Sequence, residues 1–270
     1  MPEAPTRVVR SSDGTPIADF ATGSGPPLVL VHGTTGDHTT FRVVGPMLAG
    51  RHAIHAIDRR GRGASGDTLP YAIEREFEDV ATVAETLAAE SGGPVDIVGH
   101  SYGGRSSLGA ALLTPSIRRV VSYEGAPTPP GTSYHPPGIE ARLRELLDRG
   151  DRDEALATFM RDVVGMPADE LAAYRSNPFW PARAAAAGTI LRELEAEADP
   201  SASVDRLGDV RQPVLQLLGG DSLPVFGEAT AALDDRLADG RIVVIAGARH
   251  AAHHTHPDAV VTAVETFLET

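Results

Sequence analysis

Short apolar runs recur along the chain with helical stretches between them, a pattern that leads to a mostly parallel sheet with helices on both faces. The runs cover residues 6–10, 16–21, 28–31, 53–57, 95–98, 119–123, 214–218 and 242–245. Most are continuously apolar, as strands buried on both sides are. Helices are expected over 74–91, 102–113, 225–238 and 257–269. In the first of these Phe77, Val80, Val83, Ala84 and Leu87 share one side. Each sits where a right-handed crossover between parallel strands belongs.

Between about 126 and 205 the alternation stops. A Pro/Gly-rich linker, 127–138, leads into segments patterned as helix over 139–149, 152–164, 168–176 and 181–197, with Gly150, Pro167 and Pro178 as punctuation. The expected organisation is a core domain in two parts, 1–126 and 206–270, with a helical lid inserted over 127–205.

Composition narrows the function. The 270 residues carry 24 basic and 37 acidic side chains, a formal net charge of −13. That balance argues against nucleic acid, whose binding rests on clustered positive charge. All 24 basic residues are Arg, which removes Schiff-base and lysine-nucleophile chemistry. The absence of cysteine removes disulfides, cysteine-ligated metal sites and a thiol nucleophile. No apolar run approaches the roughly 18 residues of a membrane span, and residues 1–10 lack the apolar stretch of a signal peptide. A cytoplasmic protein with no membrane partner is expected.

The chemistry concentrates at Gly99-His100-Ser101-Tyr102-Gly103, a G-x-S-x-G sequence directly after an apolar strand and directly before a helix. So sharp a strand-to-helix turn presents a serine hydroxyl at the carboxyl edge of the sheet, with a helix N-terminus behind it. Glycines at both flanks let the neighbouring backbone pass close by. A nucleophilic serine needs an oxyanion site, and His32-Gly33-Thr34, after the run 28–31, is placed to supply the Thr34 N–H beside that of Tyr102.

A serine also needs an imidazole base. Of the ten histidines, His250 lies in the loop after the last strand, which returns it to the edge that carries Ser101. His253, His254 and His256 crowd the same loop. His250 and His254 have the i, i+4 spacing of a metal pair, but no Glu adjoins His250 and no helix is expected there. No metal site is assigned, and these three histidines are expected to be solvated or to face the lid.

With these motifs the chain resembles the α/β-hydrolase superfamily. The resemblance rests on His32-Gly33, the Asp58–Ser65 turn, the Gly99–Gly103 elbow and His250 followed at seven by Pro257. It implies an eight-stranded mostly parallel sheet, helices on both faces and an inserted lid. It implies a triad of Ser101, His250 and a carboxylate. Two acids compete for that place. Asp221, in Gly219-Gly220-Asp221, follows the penultimate strand but comes one residue early after Gly219. Glu124 ends the strand 119–123 at the active edge, where a carboxylate has few structural reasons to be.

Asp58, Arg59 and Arg60 are expected to form a salt-linked structural turn, with substrate binding as the alternative. His32, Tyr134, Phe159, Phe179 and Trp180 are candidates for lining the pocket, with core packing as the competing role of each aromatic. The expected reaction is hydrolysis of a small to medium uncharged carboxylic ester, lactone or thioester through an acyl-enzyme. No cofactor or metal is implied. The same residues also suit a cofactor-free haloperoxidase or lyase, or a ligand-binding protein on a hydrolase scaffold.

Overall fold

The computed structural model describes residues 4–270; the first three residues, where the amino-terminal segment and the first expected domain begin, lie outside the described residues. The strands are β1 (Arg7–Arg10), β2 (Pro16–Gly23), β3 (Pro27–Val31), β4 (Ala53–Ile57), β5 (Val95–His100), β6 (Ile117–Tyr123), β7 (Val214–Gly219) and β8 (Gly240–Ile245). Among the described residues they form one sheet in the order β1-β2-β4-β3-β5-β6-β7-β8. β2 runs antiparallel to both its neighbours, and every other pair is parallel.

Alternation along each strand feeds two cores. On β3, Leu28 and Leu30 pack with Phe41, Val44 and Phe267, under helices α1 (Val44–Leu48) and α12 (Pro257–Leu268). Val29 and Val31 pack on the opposite face with Phe77, Val80 and Leu108, under α2 (Ile73–Ser91) and α3 (Tyr102–Ala111). Helix α2 buries the side expected of it, Phe77, Val80, Val83, Ala84 and Leu87, and closes on Gly92 in the left-handed conformation that glycine adopts most readily.

Between β6 and β7 lie α4 (Ile139–Asp148), α5 (Arg152–Asp162), α6 (Ala168–Arg175), α7 (Trp180–Ala185), α8 (Ile190–Ala196) and the short α9 (Val204–Leu207). Helices α4 to α8 build a third core of their own around Leu143, Leu156, Phe159, Trp180 and Ile190. The sequence pattern predicts one helix over 181–197; the chain instead narrows to a 3-10 turn at Ala186–Thr189 between α7 and α8. Gly188 weakens the α-helix there, and the Thr189 hydroxyl donates back to the Ala186 carbonyl.

Helix α10 (Pro224–Asp234) follows β7, and α11 (Ala252–Thr255) precedes α12. The turn α11 corrects the expectation that no helix forms beside His250. Its first N–H, on Ala252, donates to the Tyr123 hydroxyl at 3.0 Å, a cap supplied from β6 that local sequence cannot reveal.

The strand order does the positioning. β3 sits where the chain reverses direction across the sheet, and a crevice opens at the carboxyl ends of strands at such a point. The segments leaving β3, β5, β6, β7 and β8 therefore stand side by side. They carry Thr34, Ser101, Glu124, Ser222 and His250.

Candidate active site

Ser101 joins β5 to α3 with φ 54° and ψ −126°, outside the regions comfortable for a residue with a side chain. Neighbouring backbone crowds the turn. A Cβ on Gly99 would lie 2.5 Å from the Gly103 carbonyl oxygen, and one on Gly103 would lie 2.2 Å from that of Val31. Only glycine fits at either flank. The Ser101 N–H donates to the Tyr123 carbonyl at 2.7 Å, which fixes the turn against β6.

The loop after β3 presses on this turn. A Cβ on Gly33 would lie 2.9 Å from the Ser101 Cβ, so Thr34 follows immediately beside the serine. Among the described residues neither the Thr34 N–H nor the Tyr102 N–H makes a backbone hydrogen bond. Two free donors beside a serine hydroxyl are what a developing oxyanion requires.

On the far side, Glu124 Oε2 lies 2.5 Å from His250 Nδ1. The carboxylate is 4% exposed and held rigidly. Its other oxygen accepts from the Gly219 N–H at 2.8 Å and the Ser222 hydroxyl at 2.5 Å. Glu124 itself has φ 47°, a strained backbone setting that turns its side chain toward the histidine. Asp221 is exposed; its N–H donates to the Ala248 carbonyl at 2.8 Å, and its carboxylate makes no hydrogen bond or ion pair with His250. The structure thus pairs His250 with Glu124 and leaves Asp221 apart. The loop after β7 brings hydrogen-bond donors to the acid on β6.

With Nδ1 bonded to the carboxylate, His250 Nε2 is left without a protein partner, and it faces the cavity that Ser101 also lines. No hydrogen bond joins Ser101 to His250 in this conformation. In unliganded sites that contact is often long and closes with substrate bound.

The profile of the alpha/beta hydrolase family matches residues 28–263. The chain belongs to that family. An alpha/beta hydrolase of Sphaerobacter thermophilus of known structure superposes with a TM-score of 0.82 at 33% identity, covering 97% of this chain and all of that one. The 2-(acetamidomethylene)succinate hydrolase of Mesorhizobium japonicum is 27% identical, over 92% of this chain and 89% of its own. The pimeloyl-[acyl-carrier protein] methyl ester esterase of Aeromonas hydrophila is 28% identical, over 91% and 96%. This protein is accordingly an enzyme of the hydrolase class.

Two cavities meet at Ser101 and His250 in this hydrolase. The smaller, about 40 Å³, runs inward past Tyr102 to Arg105, Tyr134, Glu193 and Glu197. The larger, about 390 Å³, opens outward between the His250 loop and helices α5 to α7. At its mouth an exposed pair, Arg249 and Glu170, joins the His250 loop to α6 at 3.0 Å. Phe159 lines both cavities, Tyr134 the inner and Phe179 the outer, as the sequence suggests.

Two expected lining residues are elsewhere. Trp180 is buried in the third core, with its ring edge-on to Tyr174 and its indole N–H donated to Asp153. His32 is wholly buried; its Nδ1–H donates to the Gly33 carbonyl at 2.8 Å and its Nε2 accepts the Arg59 N–H at 3.0 Å. Burial holds this ring neutral, well below the usual histidine range, and the ring ties the loop after β3 to the turn after β4. That turn is structural, as expected. Asp58 accepts from the His38 and Ala64 N–H groups, and Arg60 forms a two-point pair with Asp79 at 2.7 Å.

The neighbouring histidines differ from expectation only in part. His253 is buried, 4% exposed, with its ring 4.4 Å from that of His100, so it is not solvated, though it lines the outer cavity under α5 to α7. His254 lines the outer cavity near Arg42, and His256 bonds the Thr255 hydroxyl at 2.9 Å. Among the described residues no group of three or more His, Asp or Glu is arranged to hold a metal ion.

Sequence reasoning missed His100 and Tyr123. His100 donates to the His250 carbonyl at 2.8 Å, and the Tyr123 hydroxyl donates to the Arg249 carbonyl. Together they hold the His250 loop. Both adjoin a residue already singled out, Ser101 or Glu124, and that adjacency was the available signal.

Proposed function

We propose that this hydrolase cleaves a small to medium carboxylic ester, lactone or thioester with Ser101 as nucleophile, His250 as base and Glu124 as the acid of the triad. The observation that carries this reading is the Glu124–His250 contact beside the strained Ser101 turn, at the junction of both cavities. His250 Nε2 takes the Ser101 proton as the oxygen attacks the carbonyl, and the Thr34 and Tyr102 N–H groups hold the oxyanion. The same proton passes to the leaving oxygen or sulfur. A water molecule, deprotonated in turn by His250, then releases the acid and restores the serine.

In this reading residues 127–205 act as a lid on a core formed by 1–126 and 206–270. The names of the relatives support it, since they include a methyl ester esterase and a hydrolase of a substituted succinate. A serine-directed phosphonate, followed by intact mass, tests it. One adduct on the wild type and none on Ser101→Ala is the expected result; no adduct on either would remove Ser101 as nucleophile.

A further inference from the structure

Arg105 is the one charged residue on α3, a helix otherwise built of small, apolar and hydroxylic side chains and buried along its whole length. It stands one turn beyond Ser101 and is 4% exposed. Its Nη2 donates weakly to the Ala126 carbonyl at 3.3 Å. Its Nε and Nη1 have no hydrogen-bond partner. The guanidinium lies 5.8 Å from the Tyr102 ring centre and 5.7 Å from that of Tyr134, contacts that cushion a cation without using its donors.

A buried guanidinium with idle donors is costly unless something completes it. Two nearby carboxylates do not. Glu193 is already shared by Arg59 and Arg62. Glu197 Oε1 stops 3.9 Å from Arg105 Nη1, beyond hydrogen-bond reach, and its other oxygen lies 3.9 Å from His135 Nε2. Burial raises the Glu197 carboxyl, against the opposing pull of Arg105 and His135.

We propose that the inner cavity receives a carboxylate of the substrate at Arg105, so that the ester cleaved at Ser101 is a half-ester of a short dicarboxylic acid. The inference rests on the reading of Ser101 as nucleophile and revises the expectation of an uncharged substrate. A cavity of about 40 Å³ between Ser101 and Arg105 suits a short chain ending in one planar anionic group, and the larger outer cavity takes the rest of the molecule. The guanidinium fork supplies the two parallel donors that a carboxylate matches.

Three methyl esters of similar length decide the matter: monomethyl glutarate, its neutral amide methyl glutaramate, and methyl hexanoate. The wild type is expected to favour monomethyl glutarate over methyl hexanoate by about 10- to 100-fold in kcat/KM, the scale of a charge-assisted hydrogen bond. Arg105→Met should bring that ratio close to one, and Arg105→Lys should keep part of it. A wild type that shows no preference, prefers the amide, or keeps its preference in Arg105→Met would overturn the assignment.

If the variants do not fold, glutarate should still inhibit methyl hexanoate hydrolysis competitively in the wild type, and failure to do so also overturns it. Phosphonate labelling of Ser101 separates the two readings. Without labelling or turnover the nucleophile assignment fails, and thermal stabilisation of the wild type by glutarate then tests Arg105 alone.

Discussion

Glu124, at the end of β6, holds His250 by a 2.5 Å contact while the loop after β7 holds Glu124 through Gly219 and Ser222. Glu124 and His250 are thus fixed from three adjacent strands. Replacing Glu124 by Gln keeps its size and removes its charge. Turnover should fall about 10³- to 10⁴-fold, as when the orienting acid of a triad is neutralised. Asp221→Asn should stay near wild type. Measuring both variants on one ester checks the pair, and the reverse ranking would give the role to Asp221.

Ser101→Ala should lose about 10⁴-fold or more in kcat without unfolding, since it removes the proposed nucleophile and buries no new polar group. His250→Ala should match it, because base and nucleophile act as a unit. A combined variant is therefore expected to be little worse than either one. Additive losses would argue that the two residues work separately.

The histidines behind the site predict an acid-labile fold. Burial holds His100 and His253 well below the usual value of 6.5, and burial together with Arg42 and Arg183 lowers His254 to about 4. The folded state keeps these rings neutral, whereas the unfolded chain takes up protons below about 6.5. Their contribution is therefore fully present above that value and is lost as pH falls from 6.5 toward 4. Each ring adds a slope of up to about 1.4 kcal/mol per pH unit. Thermal melts between pH 4.5 and 8 should show the loss, and His253→Gln should flatten it by one histidine's share.

Glu193 on α8 accepts from both Arg59 and Arg62, which also share Glu76, and all four side chains are at most 1% exposed. Glu193→Gln leaves two buried guanidinium groups with one carboxylate. A loss of about 3–5 kcal/mol is expected, the usual effect of breaking a buried pair from one side. Calorimetry would register it as a lower Tm. Glu170→Gln, which breaks the exposed pair with Arg249, should change the Tm very little.

The strands were legible because most are short apolar runs, and their observed ends differ from the sequence pattern by at most two residues. Ser101 was legible for the same reason: its motif is local and its geometry follows from strand, glycine and helix in succession. Glu124 was half legible. Its place at a strand end could be read, but its partners arrive from β7 and β8. His32 and Trp180 looked like pocket residues because aromatic character is visible in sequence and the direction of a side chain is not. The cap on α11 depends on a contact made only after folding, whereas the break at Ala186–Thr189 follows from Gly188 and a local Thr189 hydrogen bond that the helical pattern of 181–197 masked.

The helices between β6 and β7 are fastened unequally to the core. Helix α8, which walls the inner cavity, is bound to the core by the buried Arg59–Arg62–Glu76–Glu193 cluster, whereas α6, which walls the outer one, is latched to the His250 loop by an ion pair open to solvent. Dissolved salt screens the second and barely reaches the first. Rising ionic strength should therefore loosen the α6 contact first, while α7 stays tied to the loop after β3 by the buried Arg183, 3.1 Å from Asp37. Surface changes along α6 would accordingly leave the buried cluster under α8 untouched.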